Sequence, residues 1–260
     1  MQERWSVFFV NPQDFDANNP YNKETFGRWK ESFQTLENRQ SWFFHLPFSL
    51  APTYSLASQN YSASIISLNN VHFIAMEGPN EKNLDAFYQV LDGYSVTDLL
   101  RLTAATEKDR IKSYPYPYWE GQINIHPVSG RVAIEVQNRS IHYFPMDLWK
   151  NHQGLEPKKL LALINAVKDS KLAAPPKIIA VHCSAGAGRT GTFIAVYLLV
   201  DEINGQIDSG LPYENLDFSI DKIIWQISLQ RPFMATHFPQ YRALYELANH
   251  YISEQKQLRS

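Results

Sequence analysis

Between Lys177 and Asp201 the chain passes from a short apolar strand through a tight glycine-containing loop into an apolar helix, and few architectures accept that run. Lys177 to Val181 reads as a strand, His182 to Gly188 as a turn, and Arg189 to Asp201 as a helix. A strand that feeds directly into a helix amino terminus belongs to the α/β class, where helices cover the faces of a sheet. The junction therefore predicts one α/β domain with a twisted, mixed central sheet flanked by helices.

The residues at this junction carry chemistry. The loop reads Val181-His182-Cys183-Ser184-Ala185-Gly186-Ala187-Gly188-Arg189-Thr190-Gly191, with a thiol at the strand end and an arginine six residues later. Successive backbone N–H groups of Ser184, Ala185, Gly186, Ala187 and Gly188 can turn inward as a nest, and the helix amino terminus adds about half a positive charge. An anion with several oxygens is bound in such a place, and phosphate fits that description. The same field favours thiolate over thiol and can bring a cysteine pKa from about 8.5 into the ~3.5–7.5 range. Cys183 is then the nucleophile. Arg189 offers a planar fork for two oxygens of a phosphoryl group, and Thr190 can donate its hydroxyl to the sulfur. Gly186 and Gly188 allow close backbone approach.

The rest of the chain sets bounds. Its 260 residues, 44% hydrophobic and 19% charged, match an ordinary globular protein rather than a disordered or fibrous one. A formal net charge of −2 gives no overall field for nucleic acid or an anionic membrane. Cys183 is the only cysteine, so an intramolecular disulfide and a multi-thiolate metal cluster are both excluded and a reducing compartment is expected. The eight histidines are scattered, with no spacing that suggests a zinc site, so no metal or cofactor is expected. Val7 to Val10 is too short for a signal peptide, and the apolar run Phe193 to Val200 falls well below the length of a membrane span.

Other elements follow from periodicity. Glu24 to Glu37 reads as a helix, Ser62 to Met76 as two strands joined at Asn69-Asn70, and Asn80 to Leu91 as a helix. A strand pair is expected between Val96 and Thr103 and around Ile111, and a hairpin from Val132–Val136 and Ile141–Phe144. Pro157 to Ser170 opens with proline and places Leu160, Leu161, Ile164 and Val167 on one helical face. Helices at Glu214–Gln230 and Phe238–Ser253 complete the chain.

The string His-Cys-Ser-Ala-Gly-x-Gly-Arg-Thr-Gly resembles the phosphate-binding signature loop of the cysteine-dependent protein tyrosine phosphatases. Other stretches agree in order. Asn38-Arg39 through Pro47-Phe48 resembles the loop flanking the phosphotyrosine ring, Tyr61-Ser62-Ala63-Ser64 the strand after it, and Phe73 to Pro79 the family's Ile-Ala-x-Gln-Gly-Pro segment. Leu102-Thr103 through Glu107, Arg110 and Lys112, then Tyr118-Trp119, resembles the loop whose glutamate supports the signature arginine. The resemblance implies a catalytic domain over residues 25–255 behind an extension of residues 1–24. It also implies hydrolysis of phosphotyrosine in a partner protein through a cysteinyl-phosphate, without metal.

Three departures stand against it. Trp149-Lys150-Asn151-His152-Gln153-Gly154-Leu155-Glu156-Pro157 occupies the family's mobile Trp-Pro-Asp loop, so the acid position holds Asn151. An amide cannot deliver a proton to a leaving group with pKa about 10. Aligning Pro145-Met146-Asp147 as the loop triplet makes Asp147 the acid instead, and His152 and Glu107 are further candidates. In the glutamine-loop segment Arg231 to Tyr241, Thr236 stands where a glutamine orients the attacking water, while Gln240 keeps the second glutamine. The ring-stacking tyrosine is absent, and Trp42 is the nearest aromatic substitute.

Three functions therefore stay open: a slow phosphotyrosine phosphatase, a phosphotyrosine-binding pseudophosphatase, and a phosphoinositide phosphatase. Ala185 and Ala187 add no positive charge for a polyanionic head group, which weighs against the last. The Trp-x-Asn-His-Gln-x-Leu stretch is similar to phosphatase domains that bacterial pathogens inject into host cells, implying a cytoplasmic setting, the host cytosol for a translocated effector.

Overall fold

Alternation and β-branched content in the segments before and after the central helix produce a seven-stranded sheet among the described residues of the computed structural model. Those residues are 61–68, 71–104, 107, 117–118, 125–128, 131–136, 139–170, 177–235 and 237–259. The strands are β1 (Ala63–Leu68), β2 (Val71–Glu77), β3 (Asp98–Arg101), β4 (Ile125–Val128), β5 (Arg131–Val136), β6 (Arg139–Pro145) and β7 (Ile178–Cys183), in the spatial order β1-β2-β7-β3-β6-β5-β4. The inner four, β2-β7-β3-β6, are parallel, and β1, β5 and β4 pair antiparallel at the edges. This is the mixed sheet of an α/β domain.

The helices are α1 (Leu84–Gly93), α2 (Pro157–Lys168), α3 (Gly188–Asp208), α4 (Ile220–Gln230) and α5 (Phe238–Leu258), with a 3-10 turn at Tyr213–Asn215. Phe87, Val90 and Leu91 of α1 cover one face of the sheet through Ile74, Leu99, Ile141 and Ala180. On the other face α2, α4 and α5 surround α3, which is buried continuously from Arg189 to Val200 and meets Phe73, Leu100, Ile179 and Val181. A helix apolar on every side can only be central.

Because strand side chains alternate, β7 sends Ile179, Val181 and Cys183 toward α3 and Ala180 and His182 toward α1. The nucleophile candidate and its preceding histidine thus lie on opposite faces of the sheet.

The expected hairpins are present: Leu68 faces Val71, Ala133 faces His142, and the turn residues Asn69 and Asn70 lie outside the described residues. Boundaries move where local hydrogen bonds win. The helix expected from Asn80 begins at Leu84, because the Asn80 and Asn83 side chains accept from the Lys82 and Asn80 backbone N–H groups. The single helix expected over Glu214–Gln230 is split. Ser219 caps α4 by accepting from the Lys222 N–H, and the extended stretch before it buries Leu216 and Phe218. α3 continues past Asp201 because Ile203 and Ile207 keep its apolar face buried. β4 was not anticipated, β3 pairs in parallel with β6 and β7, and the strand expected around Ile111 and the helix expected at Glu24–Glu37 lie outside the described residues.

Candidate active site

The carboxyl ends of the central parallel strands form one rim, the usual place for ligand sites in open α/β sheets. Cys183 ends β7 there, opposite Glu77 of β2, and the Gly78 N–H donates to the Ser184 carbonyl at 3.0 Å. Gly186 has φ +67°, and a Cβ at this position would overlap the Met76 carbonyl. Only glycine closes the loop this tightly. A Cβ on Gly191 would lie 2.6 Å from the Ala235 nitrogen, so the first turn of α3 rests directly on the backbone before residue 236. A Cβ on Gly188 would lie 2.9 Å from the Gln240 side chain, whose Oε1 accepts from the His237 N–H at 3.3 Å at the start of α5.

Two arginines hold this loop. Arg189, buried at the start of α3, donates from Nη1 to Glu107 Oε2 at 2.5 Å and from Nη2 to Glu107 Oε1 at 2.7 Å. Its Nη1 also donates to the Trp149 carbonyl at 3.0 Å. Arg231, at the end of α4, donates from Nε to the Gly186 carbonyl at 2.6 Å and from Nη2 to the Ala185 carbonyl at 3.0 Å. It also reaches the Ser62 and Ser64 hydroxyls beside β1, pulling the loop carbonyls outward. The N–H groups on the other side of those peptides are those of Gly186 and Ala187, and the Ala187 N–H helps to lower the Cys183 thiol.

Electrostatics at Cys183 are a contest. Burial pushes the thiol up, but the Arg189 charge, the Thr190 hydroxyl and the N–H groups of Thr190 and Ala187 oppose it, and the pKa ends below the ordinary thiol value. Thr190 Oγ1 is buried with no nitrogen or oxygen partner among the described residues, and its hydroxyl is one of the groups that lower the Cys183 thiol. Burial lowers His182 to about 3, so its ring is neutral. Tyr118, pushed well up by burial, keeps its proton and donates to His182 Nε2 at 2.7 Å. Nδ1 then carries the ring proton, which faces the Cys183 carbonyl at 3.4 Å. These groups hold the Cys183 backbone from the α1 face.

Trp149 is fully buried, and its Nε1–H donates to the Gln153 carbonyl at 2.8 Å, closing the segment that carries Asn151. Asn151 is exposed. It accepts the His152 N–H on Oδ1 at 3.1 Å, and its Nδ2 faces His152 Nε2, also at 3.1 Å. His152 has φ +60° and meets His237 with Nδ1 atoms 3.3 Å apart, docking this segment on the start of α5. Asp147 is half exposed and paired with Arg101 at 2.9 Å. Trp42, Lys112 and Thr236 lie outside the described residues.

The structure thus brings together Cys183, the loop Ser184–Gly188, Arg189, Thr190, Glu107 and Gln240. Sequence reasoning assigned no role to Arg231 and Tyr118, although both lie in quoted segments, nor to Arg101. A charged residue directly after an apolar strand or helix, as at Arg101 and Arg231, was the available signal. Among the described residues no group of three or more His, Cys, Asp or Glu is placed to hold a metal ion, and no helix is long and apolar enough to cross a membrane.

A buried cysteine with a lowered pKa at a strand-to-helix junction, beside an arginine held by both oxygens of a glutamate, defines an α/β domain built around a cysteine-bearing loop. Residues 129–250 match the family described as Protein-tyrosine phosphatase. The chain is 26% identical over 210 residues to human receptor-type tyrosine-protein phosphatase epsilon, a match covering 70% of this chain and 28% of that protein. It is 28% identical over 189 residues to rat receptor-type tyrosine-protein phosphatase V, covering 65% of this chain and 10% of the relative. With the tyrosine-protein phosphatase corkscrew of Drosophila virilis it shares 35% identity over 120 residues, 44% of this chain and 15% of the relative. Residues 129–250 are thus similar to the protein-tyrosine phosphatase family, and the chain spans less than a third of the length of these curated relatives.

Proposed function

We propose that this chain hydrolyses phosphotyrosine in proteins through a cysteinyl-phosphate, and does so slowly. The observation that carries the reading is the Cys183 thiol held below its ordinary pKa beside Arg189, itself fixed by both oxygens of Glu107. The Cys183 sulfur attacks phosphorus in line, the S–P bond forms as the P–O bond to the tyrosyl oxygen breaks, and the electron pair leaves with that oxygen. Arg189 and the loop N–H groups receive the equatorial oxygens. The departing oxygen takes its proton from solvent, since Asn151 stands at the acid position. Water then attacks phosphorus, the S–P bond breaks, and the thiolate and inorganic phosphate are restored. Lacking a positioned acid typically costs ~10²–10⁴ in rate for a basic leaving group. A thiolate nucleophile also suits a reducing, cytoplasmic setting.

A second reading, capture of phosphotyrosine without turnover, draws on the same Asn151. Turnover of a phosphotyrosine peptide and of a soluble phosphoinositide, each with wild type and Cys183→Ser, separates the cases. We expect slow release of phosphate from the peptide alone, abolished in Cys183→Ser, and a trapped phosphoenzyme on rapid acid quench. Peptide binding with no phosphoenzyme and no release in the wild type selects the binding module, and preferential release from the phosphoinositide selects the lipid substrate.

A further inference from the structure

Arg101 ends β3, one strand away from the nucleophile, with Cα partners Pro145 on β6 and His182 on β7. It is buried, and its guanidinium points in three directions. Nε donates to the Tyr143 hydroxyl at 2.5 Å, Nη1 to the Thr103 carbonyl at 2.5 Å, and Nη2 pairs with Asp147 Oδ1 at 2.9 Å. The Arg101 carbonyl accepts the Met146 N–H at 2.8 Å, so backbone and side chain grip the same two-residue step.

That step leads somewhere specific. Two residues after Asp147 comes Trp149, whose carbonyl accepts from Arg189, and four residues after Thr103 comes Glu107, whose carboxylate holds the other side of Arg189. Arg101 is therefore joined to both segments that fix the phosphate-binding arginine. It is also joined to the α1 face of the sheet: the Tyr143 ring packs edge-on against Tyr118 at 6.4 Å, and Tyr118 bonds His182. A buried fork with three differently placed acceptors sets distances in a way a lysine could not.

We propose that Arg101 and Asp147 are positioning residues, a strut from the sheet to the surface that sets the Trp149 carbonyl and Glu107 around Arg189, and that Asp147 acts through Arg101 rather than as the proton donor. The proposal rests on the phosphatase reading only for its kinetic readout. A misplaced arginine harms every substrate alike, because it meets the phosphoryl oxygens and not the leaving group. A missing acid harms only substrates whose leaving group is basic.

The test compares Asp147→Asn, Arg101→Met and the double variant on nitrophenyl phosphate and on phenyl phosphate. Each single variant is expected to lower kcat on both substrates by the same factor, ~10-fold or more for a shift of a fraction of an ångström. The double variant should lose no more than the worse single one, since both remove one strut. Asp147→Asn alters an exposed carboxylate and keeps the fold, so it reads the proposal even if Arg101→Met does not fold. A loss confined to phenyl phosphate makes Asp147 the acid and overturns the proposal. So do unchanged rates in Asp147→Asn, or losses that multiply in the double variant. If the wild type releases no phosphate at all, the phosphatase reading fails separately. The strut is then read from orthovanadate affinity, which Asp147→Asn should weaken ~10-fold and which an intact affinity would refute.

Discussion

Arg189 and Glu107 meet through two parallel N–H···O bonds of 2.5 and 2.7 Å although 82 residues separate them in the chain. The guanidinium is almost wholly buried, so its orientation depends on the carboxylate rather than on solvent. Glu107→Ala should lower turnover ~10²-fold, the scale of a misplaced binding group. Vanadate affinity should fall with it, and Glu107→Gln, which keeps one acceptor, should recover part of both. Equal vanadate affinity in wild type and Glu107→Ala would show that Arg189 is held by something else.

The Cys183 pKa lies below its ordinary value in the folded chain. Such a group adds stability that is fully present above the unfolded value of about 8.5 and is lost as pH falls through the folded value. The stability of wild type relative to Cys183→Ser should therefore rise between the folded pKa and about 8.5, measured by urea unfolding at several pH values. Alkylation by iodoacetamide should show a midpoint below about 8.5 and be blocked by vanadate. In Arg189→Ala, burial is left without its main opponent, and the midpoint should move to higher pH.

Gly186→Ala places a Cβ against the Met76 carbonyl at a φ of +67°. The backbone must shift, carrying the Ala185 and Gly186 carbonyls off Arg231. A loss of at least ~1–3 kcal/mol in stability is expected from strain alone, with vanadate binding reduced more severely than in any surface variant. Calorimetry with and without vanadate reads both.

If position 151 is the acid position, as proposed, Asn151→Asp supplies the carboxyl that the chain lacks there. Turnover of phosphotyrosine should rise ~10-fold or more, toward the ~10²–10⁴ that general acid catalysis supplies, while nitrophenyl phosphate changes little. A pH–rate profile should gain a descending limb at high pH as the new acid ionises. No gain on phosphotyrosine would remove Asn151 as the cause of slow turnover.

What the sequence by itself determined is what neighbouring residues decide among themselves. The apolar run of β7, the glycines of the turn and the helix beginning at residue 188 are consecutive, so the loop from Cys183 to Thr190 follows from local geometry. The β1–β2 and β5–β6 hairpins and the apolar face of α2 were legible for the same reason. The tertiary structure decided everything that depends on which strands lie side by side. With β7 between β2 and β3, the loop meets Gly78 on one side and the Glu107 segment on the other. The same arrangement sets Tyr118 against His182, and the packing of α4 on β1 delivers Arg231 to the loop carbonyls. It also paired Asp147 with Arg101 and left Asn151 exposed. No local pattern encodes such partners. They come from the parallel register of the central sheet, which long-range burial selects only once the whole core has closed.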